Sequence, residues 1–193
     1  MEVEMKELNE IFAHTTAQKV LDFWFSEENQ SKWFVKSDDF DAEIRNLFGA
    51  VWSAGCEGLL DDWRRTLRGR LAEIIVLDQF SRNLNRDSGA AFAQDTMALI
   101  LSQEATMHPE YDTLNTDEKK FILMPLMHSE SKEIHKRAVP LFEALGDSHT
   151  LDYEIKHKVI IDRFGRYPHR NEVLGRVSTQ EELEFLKEPD SSF

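Results

Sequence analysis

Four stretches of this 193-residue chain place ionisable side chains on helix faces that are otherwise apolar. Asp78 and Arg82 continue, at i, i+4 spacing, the stripe formed by Leu71, Ile74 and Ile75. Asp95 falls between Phe92 and Leu99, and His128 extends the row of Phe121, Met124 and Pro125. Arg163 follows Val159 and Ile160, while His157 aligns with Ile161 and Phe164. A charge on such a row has to be paired or has to belong to a site, because an unpaired buried charge is strongly disfavoured. Imidazole can exchange a proton near neutral pH, a carboxylate can orient it, and guanidinium can hold an anion, so the set points to anion binding or acid–base chemistry. The alternative is a group of buried pairs that fixes packing register without a ligand.

A second concentration lies at Arg163 to Arg176. Arg163, Arg166, Arg170 and Arg176 stand there against Glu172 alone, giving +3 in a chain of net charge −13, so the rest carries −16. Gly165 is suited to end a helix in a left-handed conformation and Pro168 to stiffen the turn after it. Arg166, His169 and Arg170 are then presented with Arg163 from a rigid loop as an expected anion site. The competing expectation is that these arginines clamp the protein's own carboxylates, Asp78 and Asp95 among them.

The elements that must position these groups read as helices. Helical spacing recurs and alternating strand patterns are missing. Helices are predicted over Gln18 to Phe25, Phe40 to Trp52, Gly69 to Asn83, Ala90 to Ala105, Asp117 to His128, Glu133 to Leu145 and Leu151 to Phe164. A last one is expected from Ser178, with Ser178 and Glu181 as a capping box. The second should bury Phe40, Ile44, Leu47, Phe48 and Val51. Pro125 should bend the fifth and so aim His128. Short connections make successive helices antiparallel, which gives an all-α fold of helical hairpins. One domain is expected over 1–193, with loose ends at 1–14 and 188–193.

Composition narrows the function classes. A charge of −13 opposes nucleic acid and anionic membrane surfaces. Cys56 is the single cysteine and fits a reducing compartment. Neither a basic, apolar leader nor a long apolar run is present, so a cytoplasmic protein is expected. The phosphate loop, the dinucleotide fingerprint, the zinc helix and the nucleophile elbow are all missing. No cofactor or metal is therefore expected.

The segments LDFWF (21–25), LDQFSRN (77–83), AFAQD (91–95), MPLMHSE (124–130), RFGRYPHRN (163–171) and LGRVST (174–179) carry a resemblance. From about residue 17 to the C-terminus the chain resembles the domain-of-unknown-function 924 family. That resemblance implies a tetratricopeptide-like α-α superhelix, a mainly bacterial distribution and no established activity. Ser81 stands where the family usually has proline, and His135 where it has glutamine.

The favoured reading is a polar pocket for a small anionic metabolite, able to support catalysis, built from Asp78, Arg82, Asp95, His128, His157, Arg163, Arg166, His169 and Arg170. The alternative is a helical-hairpin module that binds a protein or peptide. A purely structural polar core is the third reading.

Overall fold

The computed structural model describes residues 16–189 together with 191 and 192. The N-terminal segment 1–14, expected to be loose, lies outside the described residues. Helix α1 occupies residues 16–24 of that range and turns Val20, Leu21 and Trp24 into the core. A short α2 (Glu27–Gln30) follows, then α3 (Asp38–Cys56), whose first turn is capped by the Ser37 side chain accepting from the amide of Phe40. Phe40, Ile44 and Phe48 are buried, as the spacing predicts, but Leu47 is 56% exposed. The apolar stripe of α3 is narrower than its residues alone suggest.

The predicted third helix is a continuous rod of three parts: α4 (Leu67–Ile74), a π-helical turn (Ile75–Phe80) and α5 (Ser81–Leu84). Every residue from Leu71 to Ser81 is buried, so this rod is the axis of the fold. Its start is pinned by Gly69, where a Cβ would lie 1.9 Å from the Trp63 carbonyl oxygen of the 3-10 turn Asp61–Arg65. Ser81, in place of the family's proline, is tied into the rod's packing. It is fully buried and its hydroxyl accepts from Trp52 Nε1 at 2.9 Å.

The predicted fourth helix begins later than its residues suggest. Gly89–Phe92 is a 3-10 turn started by Ser88, and α6 runs Asp95–Thr106. Gly89 is held here by the Val173 carbonyl oxygen, which a Cβ would meet at 2.8 Å. Asp95 is therefore the first residue of a helix, where a carboxylate suits the helix dipole, and not a mid-helix position.

Helices α7 (Thr116–Met127), α8 (Lys132–Leu145) and α9 (Ser148–Phe164) complete a series with α6 in which each packs on the next. Only residues 128–131 and 146–147 separate the last three, so they form antiparallel hairpins. The described residues contain no strand, and the fold is all-α. No helix among them is long and apolar enough to cross a membrane.

Gly165 ends α9 at φ +71°, as predicted, and α10 (Gln180–Phe185) closes the chain. Its capping box is Thr179 with Glu182, one residue beyond the predicted Ser178 and Glu181. The displaced pair is engaged elsewhere. Ser178 accepts from Asn171 and Glu181 pairs with Arg163.

Candidate functional site

The π turn turns Asp78 toward Arg82 of α5 and His128 at the end of α7. A π turn widens the helix locally and re-aims one residue, which is why such turns recur at functional sites. Asp78 is fully buried; its carboxylate accepts from His128 Nδ1 at 2.7 Å and Gln79 Nε2 at 2.5 Å and is ion-paired with Arg82 Nη1 at 3.1 Å. Burial pushes its carboxyl up, but Arg82 and His128 together hold it well below the usual carboxylate range. It is a carboxylate at neutral pH.

Arg82 is spread over two partners. Nη1 donates to the Asp78 carbonyl at 2.9 Å, and the two Nη atoms meet the Asp95 carboxylate at 2.9 and 3.1 Å. Asp95 also accepts from Arg170 Nη1 at 3.1 Å, so one carboxylate bridges two guanidinium groups. Arg170, delivered by the turn after α9, is buried and sandwiched between Phe92 and Tyr167, 4.4 and 4.5 Å from the ring centroids. Burial, then Arg82, lowers its pKa from the ordinary arginine value.

His128 caps the C-terminus of α7, after Pro125, and its Nδ1 faces Asp78. Because the carboxylate is ionised, Nδ1 carries the proton and Nε2 is left with its lone pair. Burial and then Arg82 hold the ring below the ordinary histidine pKa against the pull of Asp78. His157 lies 6.4 Å from it, centroid to centroid, donates Nδ1 to the Tyr153 carbonyl, and is pulled down to about 3 by burial. His169 is held at about 4, again chiefly by burial. The cluster is not sealed: the side chains of Arg82, Asp95 and His128 keep 20%, 18% and 13% of their surface in solvent.

Seven of the nine predicted residues thus converge: Asp78, Arg82, Asp95, His128, His157, His169 and Arg170. Arg163 and Arg166 lie apart from them. Arg163 sits on the solvent row of α9 with Val159, which is 59% exposed, and pairs with Glu181. Arg166 is committed at both ends of its fork to Glu182, at 2.6 and 2.8 Å. With Arg176 on Glu130 at 2.6 and 2.9 Å, most of the basic segment is consumed by internal carboxylates, as the competing expectation held.

Three participants, Tyr167, Phe92 and Gln79, were given no role from the sequence, and His135 was marked only as a departure from the family pattern. Tyr167 is fully buried, donates its hydroxyl to the Met127 carbonyl at 2.5 Å and stands 3.2 Å from His135 Nε2. His135 in turn meets Glu154 at 2.8 Å, a carboxyl whose pKa burial raises. An aromatic residue between Gly165 and Pro168, flanked by two arginines, was the available signal for Tyr167.

A cavity of about 390 Å³ lies elsewhere, beyond α5, where Asn83 and not Arg82 faces it. Its charged rim is largely self-neutralised: Arg86 and Asn83 bind Asp41, Lys36 meets Asp87, and Arg45 donates to the Leu84 carbonyl. Two enclosed polar atoms without partners, Arg170 Nε and His169 Nδ1, fall instead on the histidine cluster. Each orphaned buried donor or acceptor costs about 1–3 kcal/mol, so the site carries unused recognition capacity. Among the described residues no three His, Cys, Asp or Glu side chains are grouped to hold a metal ion.

Comparison with known proteins agrees with this architecture. A family model described as a bacterial protein of unknown function, DUF924, matches residues 20–190. A solved structure of a protein of unknown function from Agrobacterium tumefaciens is similar at 32% identity, with a TM-score of 0.84 over 89% of this chain and 96% of that one. None of the curated proteins matches the chain.

Proposed function

We propose, for a chain that belongs to the bacterial DUF924 family, that the cluster between the π turn, α7 and the turn after α9 binds a small anionic metabolite and uses His128 as its proton-transfer group. The observation that carries this reading is the Asp78–His128 contact. A buried, ionised carboxylate fixes the tautomer of an imidazole whose other nitrogen bonds no described residue. Neutral His128 is a base, and the neighbouring Arg82 and Arg170 supply positive charge for the ligand or for charge that develops on it. The acidic charge and the single cysteine support a cytoplasmic location and argue against a nucleic-acid partner.

Thermal shift in the presence of acetate, inorganic phosphate and sulfate tests the reading, because a ligand bound only by the folded state raises the melting temperature by mass action. At least one anion should stabilise the wild type, and Arg170→Gln should abolish that response. A wild type indifferent to all of them would leave the arginines as internal clamps and defeat the proposal.

A further inference from the structure

Arg170 keeps donors that its structural contacts leave unused. Its Nη1 is spent on Asp95, while Nε is enclosed without a partner and Nη2 bonds no described residue. Guanidinium is planar, so the unused Nε–Nη2 edge is a parallel pair of donors, in a group that packs on both the Phe92 and the Tyr167 ring. Such an edge matches the two oxygens of a carboxylate in one plane better than a tetrahedral anion, whose remaining oxygens would need further donors.

The adjacent residue adds a constraint of opposite sign. His169 packs against the same ring, 5.6 Å from the Tyr167 centroid, and the backbone of Ser191 favours a proton on its imidazole. Burial keeps it neutral, and Nδ1 is enclosed with no partner. Nδ1 has no acceptor to hold a proton, so the proton of the neutral ring belongs on the other nitrogen and Nδ1 is a lone pair that lacks a donor. Two consecutive side chains against one tyrosine thus require an acceptor for Arg170 and a donor for His169.

We infer that the ligand of this site is a small carboxylate with a hydrogen-bond donor beside it, as in an α-hydroxy or α-amino acid, held by the Nε–Nη2 edge of Arg170 and by Nδ1 of His169. The inference rests on the cluster being a ligand site, and it adds the substrate class. The carboxylate takes the arginine edge, the neighbouring hydroxyl or ammonium donates to His169, and the body of the molecule extends toward His128.

Paired probes test it in the wild type: lactate and alanine carry the donor, and propionate has the same carbon skeleton without it. Lactate or alanine should bind about tenfold more tightly than propionate by thermal shift and calorimetry. In His169→Phe, which removes the acceptor, the preference should vanish while propionate binding is retained. Equal binding of all three by the wild type, a preference that survives in His169→Phe, or stronger binding of inorganic phosphate would overturn the substrate class and leave the anion site standing. If none of the four probes binds, the enclosed atoms are satisfied by water only, and both the class and the site reading fall. The wild-type comparison decides the matter even if His169→Phe does not fold.

Discussion

At the scale of single residues, the cluster is a chain of charges in which each partner is shared: Asp78 with Arg82 and His128, Asp95 with Arg82 and Arg170. Removing one member leaves a buried charge uncompensated, whereas removing a pair does not. Arg82→Met should therefore destabilise the protein by about 3–5 kcal/mol in urea unfolding, and Asp78→Leu combined with Arg82→Met should cost less than the sum of the two single changes. Strict additivity would show that the two residues do not act together. The sequence displayed this pair because both residues interrupt one apolar stripe at i, i+4. It hid the Phe92–Arg170–Tyr167 sandwich, because that contact joins residues 75 positions or more apart for Phe92 and depends on where the turn after α9 is carried, which no local periodicity records.

At the scale of elements, helix existence was legible and helix edges were not. Apolar spacing located α3, α8 and α9, each of which buries part of its surface against its neighbours, and the apolar run 121–127 located α7, which is buried all round there. Caps were misplaced where tertiary contacts recruited the capping residue, as with Ser178, and the start of α6 moved because Gly89 lets the Val173 carbonyl approach. The π turn was invisible in composition. Two substitutions check these assignments. Gly69→Ala drives a Cβ into the Trp63 carbonyl and should cost about 1–3 kcal/mol, or more if α4 cannot shift away from the 3-10 turn. Thr179→Ala removes the α10 cap and should cost about 1 kcal/mol, with faster amide exchange confined to α10 and its neighbours. Unchanged stability in either variant would contradict the packing described.

At the scale of the whole molecule, a chain of net charge −13 gathers positive charge in one segment and spends most of it on its own carboxylates, leaving the Arg170 edge over. Its response to acid follows from the buried histidines. His157 is held near 3 in the fold, below the value near 6.5 of an unfolded histidine, so its contribution is complete above that value and is lost as pH falls through the window toward 3. About 2 kcal/mol should disappear between pH 7 and pH 5 from this residue, and His157→Phe should flatten the decline. Glu182, held at about 2 chiefly by its hydrogen bonds to Arg166, adds a further loss below pH 4. The central claim, that the cluster receives a ligand, is met most directly by imidazole nitrogen NMR of the wild type during titration with lactate. The account predicts saturable shifts at His128 Nε2 and His169 Nδ1, with the solvent-facing His149 and the fully engaged His135 unmoved. A spectrum in which no imidazole responds to lactate, propionate or phosphate would contradict it and identify the cluster as an internal ion-pair network.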